Sequence, residues 1–423
     1  MRVLVAPDKF KGSLTAAEVA RWLAVGLADA GVEGRQLPLA DGGDGSVDAA
    51  VAAGFSGRSC TVASAIGTPR RAMLAVRGDT VVVEVANTCG LVTLPGGRRR
   101  PLDASSLGLG QAIRQAMRLN PRQVVLALGG SASTDGGMGL LTALGFRFFD
   151  AAGRVLPPSG RALLDIAAID TVAAVRLPSI DLLVAGDVTN PLTGFEGAAA
   201  VYGPQKGADP ATVCLLDRGL RRLVDMLSRN GFPEADRLAA TPGAGSAGGI
   251  GFAALLLGAR MASGAEFFLD LLDFDRHCAE ADLVITGEGS LDAQTEHGKL
   301  PAVVARRAGP VPVVAVAGRT KVTGNHRGRN GFADVYALTD YTDRDTAGDP
   351  ALTAELLVRI GGEIGRSRLL ESLPATALRS TRQVGGDQAI AQVQVRPIEE
   401  IGVSGVPFAG HQVLPQSRQS RLQ

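Results

Sequence analysis

The chain has 423 residues, which is longer than one hydrophobic core usually serves and predicts two domains or lobes. Its 43 basic and 42 acidic residues leave a net charge of +1. This balance gives no electrostatic reason to expect nucleic acid or an anionic membrane as a partner. Four scattered cysteines without a CxxC pair, no apolar run of membrane-spanning length and no signal-peptide pattern predict a soluble cytoplasmic protein.

Short apolar runs alternate with helical patterns along most of the chain. Strands are predicted at residues 2–6, 80–86, 123–130, 181–187, 282–289 and 311–318. Helices are predicted at residues 15–30, 104–119, 211–227 and 247–262. Ser13 or Thr15 can cap the first helix, and Gly31 ends it. Continuous apolar strands that alternate with helices predict an α/β fold whose parallel sheet is buried on both faces.

The chain changes character after residue 373. Residues 374–423 are polar, rich in Gln and Arg, and show no sustained helical or strand period. This composition predicts a C-terminal extension that is disordered or loosely packed. A short added strand over VQVRPI is the alternative interpretation.

Polar or glycine-rich clusters follow the predicted strands. In chain order they read PDKFKGS, GGSASTDGG, GDVTNP, GEGSLD and AGRTK. Ligands of open parallel sheets bind beyond the carboxyl ends of the strands. We therefore expect these five clusters to converge on one cleft.

The segment GGSASTDGG, at residues 129–137, has the features of an anion-binding loop. Its glycines let the backbone approach an anion, and a following helix would add its N-terminal N–H groups. Ser131, Ser133 and Thr134 add hydroxyl donors. The segment matches neither GxxxxGK[ST] nor GxGxxG. Alone it therefore fits a phosphate site and a tight strand-to-helix turn about equally well.

Charged side chains in the glycine-bearing segments supply groups that phosphoryl transfer requires. The acidic and amide candidates are Asp41, Asp44, Asp187, Asn190, Glu288 and Asp292. Of only five lysines in the chain, four lie in such segments: Lys9, Lys11, Lys206 and Lys299. Transfer from ATP needs Mg²⁺ on hard oxygen ligands, cations near the phosphates and often a carboxylate that accepts the hydroxyl proton. Any one of these residues alone is as well explained by a turn or a solvated surface.

Together and in order, seven segments resemble the type I glycerate kinase family over residues 1 to about 372. They are APDKFKGS, ADGGDGS, GGSASTDGG, GDVTNPL, YGPQKGA, PGAGSAGG and TGEGSLDAQTEHGK. The resemblance implies two α/β lobes, one of them flavodoxin-like with a parallel sheet, and an active-site cleft between them. One lobe would span roughly residues 1–60 plus 280–373, and the other residues 61–279. The implied reaction is Mg-ATP-dependent phosphorylation of D-glycerate, with 2-phosphoglycerate as the favoured product.

The sequence departs from the family pattern at several positions. The residue after GEG is often Arg in the family but is Ser290 here, so a contact from that cation is either missing or supplied by another Arg. Thr134 stands where Asn is common. Leu107 and Gln111 stand where the family often has a larger or charged side chain and Glu.

The resemblance and the strand-end clustering together give each candidate an expected role. ATP phosphates are expected at Gly129, Gly130, Ser131, Ser133, Gly136, Gly137 and Lys299. Glycerate is expected at Lys11, Asp44 and Asn190, and Mg²⁺ at Glu288 and Asp292. Lys11 and Lys299 can each serve phosphate or the glycerate carboxylate. Asp187 is the first choice for the base at the acceptor hydroxyl, and Asp41 is the second.

Two other functions stay open at this point. One is a kinase for a different small hydroxy acid or sugar acid. The other is an inactive sensor that binds a nucleotide or ligand without turnover. Retention of the carboxylates of Asp41, Asp187, Glu288 and Asp292 favours an enzyme. The sequence carries no signal for an oligomeric state.

Overall fold

A computed structural model describes residues 1–175, 180–291, 299–320 and 331–367 of the chain. Met1–Leu373 forms one compact unit, and the predicted extension at residues 374–423 lies outside the described residues. The fold is α/β, as predicted. Within the described ranges, no helix is both long enough and apolar enough to cross a bilayer.

The strands form two main sheets and one short two-stranded sheet. They are β1 (Arg2–Val5), β2 (Glu33–Gln36), β3 (Ser56–Ala63), β4 (Pro69–Arg77), β5 (Thr80–Glu84), β6 (Gln123–Ala127), β7 (Arg147–Phe149), β8 (Ala168–Asp170), β9 (Asp181–Ala185), β10 (Arg260–Ala262), β11 (Leu283–Leu291), β12 (Val313–Thr320) and β13 (Asp334–Ala337). All six predicted strands are present among them, with ends shifted by a few residues.

Helices cover the faces of the two main sheets. They are α1 (Ala16–Asp29), α2 (Ser46–Ala52), α3 (Val85–Cys89), α4 (Leu107–Met117), α5 (Met138–Ala143), α6 (Ala198–Tyr202), α7 (Pro210–Arg229), α8 (Ala235–Ala240), α9 (Ser246–Leu256), α10 (Gly264–Leu271), α11 (Phe274–Ala279), α12 (Leu300–Arg307) and α13 (Pro350–Gly365). Thr15 caps α1 in a capping box with Glu18, and Gly31 follows its last turn with φ +76°, as predicted.

The first main sheet is parallel throughout, in the order β13-β12-β11-β1-β2. When only the five strands of this sheet are numbered in chain order, they lie in the order 5-4-3-1-2, which is the flavodoxin-like order. Val3 and Val5 of β1 pack into a core with α1 and α13, whereas Leu4 packs into a separate core on the other face. Burial on both faces explains why β1 reads as a continuous apolar run.

The second main sheet is mixed, in the order β10-β9-β6-β5-β4-β3. Strands β5, β6, β9 and β10 are parallel, and β3 and β4 add an antiparallel hairpin at one edge. The helix predicted over 247–262 was wrong at both ends. Its first three predicted residues, Ala247 to Gly249, have positive φ and are not helical. The helix stops at Leu256, Gly258 turns the chain with φ +89°, and Met261 pairs with Val184 in the sheet.

Candidate active site

Two adjoining cavities lie where the glycine-rich and charged loops meet. One, about 350 Å³ in volume, is lined largely by apolar side chains and is called the apolar cavity below. The other, about 790 Å³, is rich in charged side chains and is called the polar cavity. The residues that line both are Lys11, Asp41, Gly43, Gly129 and Gly130. All five strand-end clusters contribute to these walls, so their predicted convergence is confirmed.

The apolar cavity is formed mainly by the second sheet and the helices around it. Its side chains from different elements include Leu91, Leu128, Val184, Tyr202 and Met261. Such a surface suits a flat, weakly polar group such as a nucleobase.

The glycine-rich loop at residues 129–137 divides into an exposed half and a buried half. Gly129, Gly130 and Ser131 line the apolar cavity. A Cβ built at Gly129 would collide with the Cα of Gly43 in the segment ADGGDGS, residues 40–46, which is called the acidic loop below. The glycine-rich loop therefore approaches the acidic loop as closely as glycine permits. The first half of the predicted phosphate loop therefore faces the cavities.

The second half of this loop is packed inside the protein and is absent from the residues that line the two cavities. Ser133 and Thr134 are buried, and their hydroxyl oxygens have no hydrogen-bond partner within the described chain. A Cβ at Gly136 would meet Leu223 at 2.5 Å, so this glycine serves helix packing. A Cβ at Gly137 would likewise collide with the side chain of Ala253 in α9.

The buried carboxylate of Asp135 anchors the glycine-rich loop. Asp135 accepts hydrogen bonds from the backbone N–H of Ser106 at 2.8 Å and of Gly139 at 3.1 Å. It also accepts one from the Ser106 hydroxyl at 2.8 Å. These bonds tie the loop to the N-terminus of α4. Asp135 therefore fixes the buried half of the loop, which follows Gly129 and Ser131.

Lys206 is a buried cation beneath the same loop. Only 2% of the residue is exposed, and its Nζ donates to Ser131 Oγ at 2.9 Å and to the Ser133 carbonyl at 2.5 Å. Burial lowers the pKa of Lys206 to about 8, while Asp135 and Cys89 act in the opposite direction. The sequence interpretation assigned no specific role to Lys206, although it is one of only five lysines and lies in a glycine-bearing segment.

Asp8 and Lys9 form a second group that the sequence interpretation left without a role. Lys9 Nζ lies 3.4 Å from Asp8 Oδ1 and 3.9 Å from Asp41 Oδ1. Burial raises the pKa of Asp8 to about 7, although Lys9 acts to lower it. Burial disfavours the charge on Lys9, but the carboxylates of Asp8, Asp41 and Asp44 outweigh that effect and raise its pKa.

The two candidate bases occupy different positions. Asp187 lines the apolar cavity, and its carboxylate accepts from the N–H groups of Gly264 at 3.0 Å and Ala265 at 3.4 Å, at the start of α10. Asp41 lines both cavities and accepts one bond, from the Gly43 N–H at 2.9 Å. Asp41 is therefore closer to where contents of the two cavities would meet.

The remaining predicted residues are only partly brought together. Asp44, Glu288 and Lys299 line the polar cavity, and Lys299 Nζ lies 3.9 Å from Glu288 Oε1. Asn190 bonds to Tyr202 and to the Glu196 carbonyl instead of lining either cavity. Asp292 lies outside the described residues.

The described residues contain no group of three or more His, Cys, Asp or Glu side chains arranged to hold a metal ion. A cation here would have to share its ligands with a substrate or with water. A buried carboxylate with a raised pKa, such as Asp8, gains from an additional positive charge. The carboxylates of Asp8, Asp44 and Glu288 in the polar cavity are hard oxygen ligands of the kind that would suit a magnesium ion arriving with phosphate oxygens.

Three of the four departures from the family pattern lie away from the two cavities: Leu107, which begins α4, Gln111 and Thr134. Gln111 accepts a hydrogen bond from the Ala63 N–H at 2.7 Å, which ties α4 to strand β3. Thr134 is fully buried. The fourth departure, Ser290, lines the polar cavity.

Comparison with known proteins agrees with the fold and the loops. The sequence model of the glycerate kinase family matches residues 3–366. The chain is 39% identical over 348 residues to a glycerate kinase of Bacillus subtilis, which covers 80% of this chain and 90% of that protein. It is 37% identical over 331 residues to the glycerate 2-kinase of Escherichia coli, with 75% and 85% covered.

A solved structure described as glycerate kinase 2 of Salmonella typhimurium is 35% identical to this chain with a TM-score of 0.72. The match covers 88% of this chain and 98% of that one. The family match over residues 3–366 and these close relatives show that the chain belongs to the glycerate kinase family and is a kinase.

Proposed function

We propose that this enzyme transfers the γ-phosphoryl group of ATP, with Mg²⁺, to D-glycerate and forms 2-phosphoglycerate. The observation that carries the proposal is the pair of adjoining cavities, one apolar and one charged, that share five lining residues. A kinase must hold a nucleotide and an acceptor side by side and in line. Because ATP is abundant in the cytoplasm, we propose that location for the enzyme.

The nucleotide fits the apolar cavity. Its base would pack among Leu91, Val184 and Met261, and its phosphates would extend towards Gly129 and Gly130. The N–H groups of the loop and the Lys206-held Ser131 hydroxyl would bind phosphate oxygens there. Ser133, Gly136 and Gly137 would act through packing, by holding the loop in place.

The acceptor fits the polar cavity, with Asp44 in the wall around it and Lys11 at the junction, where it also reaches the phosphates. Asn190 would act indirectly, by accepting a hydrogen bond from Tyr202, which lines the apolar cavity. We propose that Glu288 and Asp292 hold Mg²⁺, directly or through water, and that Lys299 adds positive charge beside them. When bound, Mg²⁺ neutralises charge on the transferred phosphoryl group.

A purified preparation should form ADP from ATP in the presence of D-glycerate and Mg²⁺. Turnover should be slower with tartronate, lactate or gluconate, and chelation of Mg²⁺ should abolish it. Phosphorus NMR of the product decides between the 2-phosphate and the 3-phosphate. Faster turnover of another acid would contradict glycerate as the substrate. ATP binding without any ADP formation would instead indicate a sensor.

We propose that Asp41 accepts the hydroxyl proton, because it lies at the junction of the cavities and has fewer hydrogen bonds than Asp187. Asp41→Asn should therefore lower kcat by roughly 10²- to 10⁴-fold, the usual contribution of a general base. Asp187→Asn should lower kcat less, because Asp187 acts by holding α10. Steady-state kinetics with circular dichroism of both variants tests this. A larger loss in folded Asp187→Asn would return the role to Asp187.

A further inference from the structure

Strands β11 and β12 end side by side at the wall of the polar cavity. Ser290 and Arg319 are paired in register there, and Arg319 Nε donates to Ser290 Oγ at 3.3 Å. Both residues line the cavity. The short side chain of Ser290 leaves room for the longer side chain of Arg319, and its hydroxyl holds the Arg319 guanidinium through this hydrogen bond. The chain thus carries an arginine, Arg319, beside the position after GEG where the family often has one.

The other basic side chains of the polar cavity help to isolate the role of Arg319. Among the residues that the structure describes, five basic ones line this cavity: Lys9, Lys11, Lys299, Arg319 and Arg344. Lys9 lies near Asp8, Lys299 near Glu288, and Arg344 bonds to Asp349 at 2.8 Å. Within the described chain, Lys11 and Arg319 have no carboxylate within ion-pair distance. An anionic ligand in this cavity would therefore meet these two cations first.

The two cations differ in place and in chemistry. Lys11 lies at the junction of the two cavities, whereas Arg319 lines the polar cavity alone. A planar guanidinium binds a carboxylate through two parallel hydrogen bonds, whereas an ammonium acts as a point charge. Nε is bonded to Ser290, and the two terminal nitrogens of Arg319 have no partner among the described residues, so they can act as that fork.

We propose that Arg319 binds the carboxylate of the acceptor and so makes the enzyme specific for small hydroxy acids over neutral polyols. The inference rests on the proposed function, because it assigns the acceptor to the polar cavity. Lys11 would then bind the phosphates of ATP. Ser290 is a positioning residue that orients the guanidinium.

The test removes the charge from the enzyme and from the substrate in turn. Arg319→Met should raise KM for D-glycerate by roughly 10- to 150-fold, which corresponds to loss of a hydrogen-bonded charge pair. KM for ATP should change by less than about threefold, since ATP does not meet Arg319. With glyceramide, the neutral amide of glycerate, wild type and variant should have similar kcat/KM.

Two further variants separate a specific contact from a general effect. Arg344→Met removes the same charge from the same cavity, but its guanidinium is already bonded to Asp349, so KM should rise much less. The exchange variant Ser290→Arg with Arg319→Ser places the cation on the neighbouring strand. It should recover much of the glycerate affinity lost in Arg319→Met.

The measurements distinguish failure of the Arg319 assignment from failure of the proposed function. Calorimetric titration with glycerate measures carboxylate binding even without turnover. Equal losses on glycerate and glyceramide, or equal losses in Arg319→Met and Arg344→Met, would overturn the assignment. Wild-type protein that neither binds nor phosphorylates glycerate would instead refute the proposed function. Unchanged glycerate KM in a folded Arg319→Met enzyme would overturn the inference alone.

Discussion

At the scale of single residues, Glu84 shows how a buried carboxylate supports the acidic loop. The residue is 3% exposed, and its Oε2 accepts the N–H of Val47 at 2.9 Å. Burial raises the pKa of Glu84 to about 7, and nearby Asp44 and Asp48 add to the shift. The bond holds the turn that follows Asp44, a residue of the polar cavity.

This shift predicts a pH-dependent stability. The folded pKa of Glu84 lies above the ordinary 4.5, so its contribution is present below pH 4.5 and is lost as pH rises through 7. Glu84→Gln cannot ionise and avoids that loss. Its free energy of unfolding, relative to wild type, should therefore increase by on the order of 3 kcal/mol between pH 4.5 and 8.

Urea unfolding of both proteins at pH 5 and pH 8 measures the effect. Glu33→Gln, a charge removal at an exposed position, is the matched control and should show little pH-dependent difference. The same wild-type-to-variant difference at both pH values would contradict the assignment to Glu84.

Residue identity indicated which groups belong near the site but not which way they point. Lys206 and Ser133 both lie in glycine-bearing segments, yet one is held under the loop as a buried cation and the other faces the interior. Asp8 follows β1 beside Lys9, but its raised pKa depends on burial. Burial is set by packing from distant segments, so local pattern alone does not predict it.

At the scale of elements, helices α1 and α13 cross with their backbones in contact. A Cβ built at Gly26 would collide with the carbonyl oxygen of Val358. A Cβ at Gly361 would collide with the carbonyl oxygen of Leu23. The absence of side chains at these two positions therefore sets the distance between the helices and, with it, one wall of the β1 core.

Neighbouring glycines of α13 should respond to alanine in opposite directions. Gly361→Ala should destabilise the protein by about 1–3 kcal/mol, because the helices must separate. Gly362→Ala meets only the flexible end of Arg366 at 3.0 Å, so improved helix propensity should make it neutral or up to about 1 kcal/mol stabilising. Denaturant unfolding of both variants tests this. Similar changes in the two would show that the crossing is not tight.

Elements buried on both faces were predictable, whereas partly exposed ones were not. Strands β1, β6 and β11 read as apolar runs because helices cover both faces of their sheets. Most of β3 is exposed, so its sequence SGRSCTVA lacks such a run and the hairpin with β4 went unpredicted. β10 has three residues and follows a helix of similar apolarity, from which only the turn at Gly258 separates it.

At the scale of the whole molecule, the catalytic fold should be independent of the C-terminal extension. The compact unit ends at Leu373, and the family match ends at residue 366. A chain that stops at Leu373 should keep the Tm and the kcat of the full protein. Differential scanning calorimetry and the ADP assay test this. A marked fall in either would assign the last 50 residues a part in the kinase itself.

We still propose the division of this unit into two lobes, roughly residues 1–60 plus 280–373 and residues 61–279. The membership of the sheets supports it. Strands β1, β2 and β11 to β13 form one sheet, and the second main sheet is built from strands between residues 56 and 262. The motifs predicted this arrangement through the family resemblance, because periodicity alone does not say which strands pair.

The flavodoxin-like sheet places its N-terminal strand in the interior, between β2 and β11, with consequences for synthesis. Arg2 of β1 donates its backbone N–H to Asp282, across 280 residues of chain. At about 5–20 residues per second, the ribosome needs roughly 15 to 55 s to make that partner. The second sheet is complete earlier and can fold first. Meanwhile β1 is an apolar strand with one edge unpaired, and we expect chaperones to bind it there until β11 emerges.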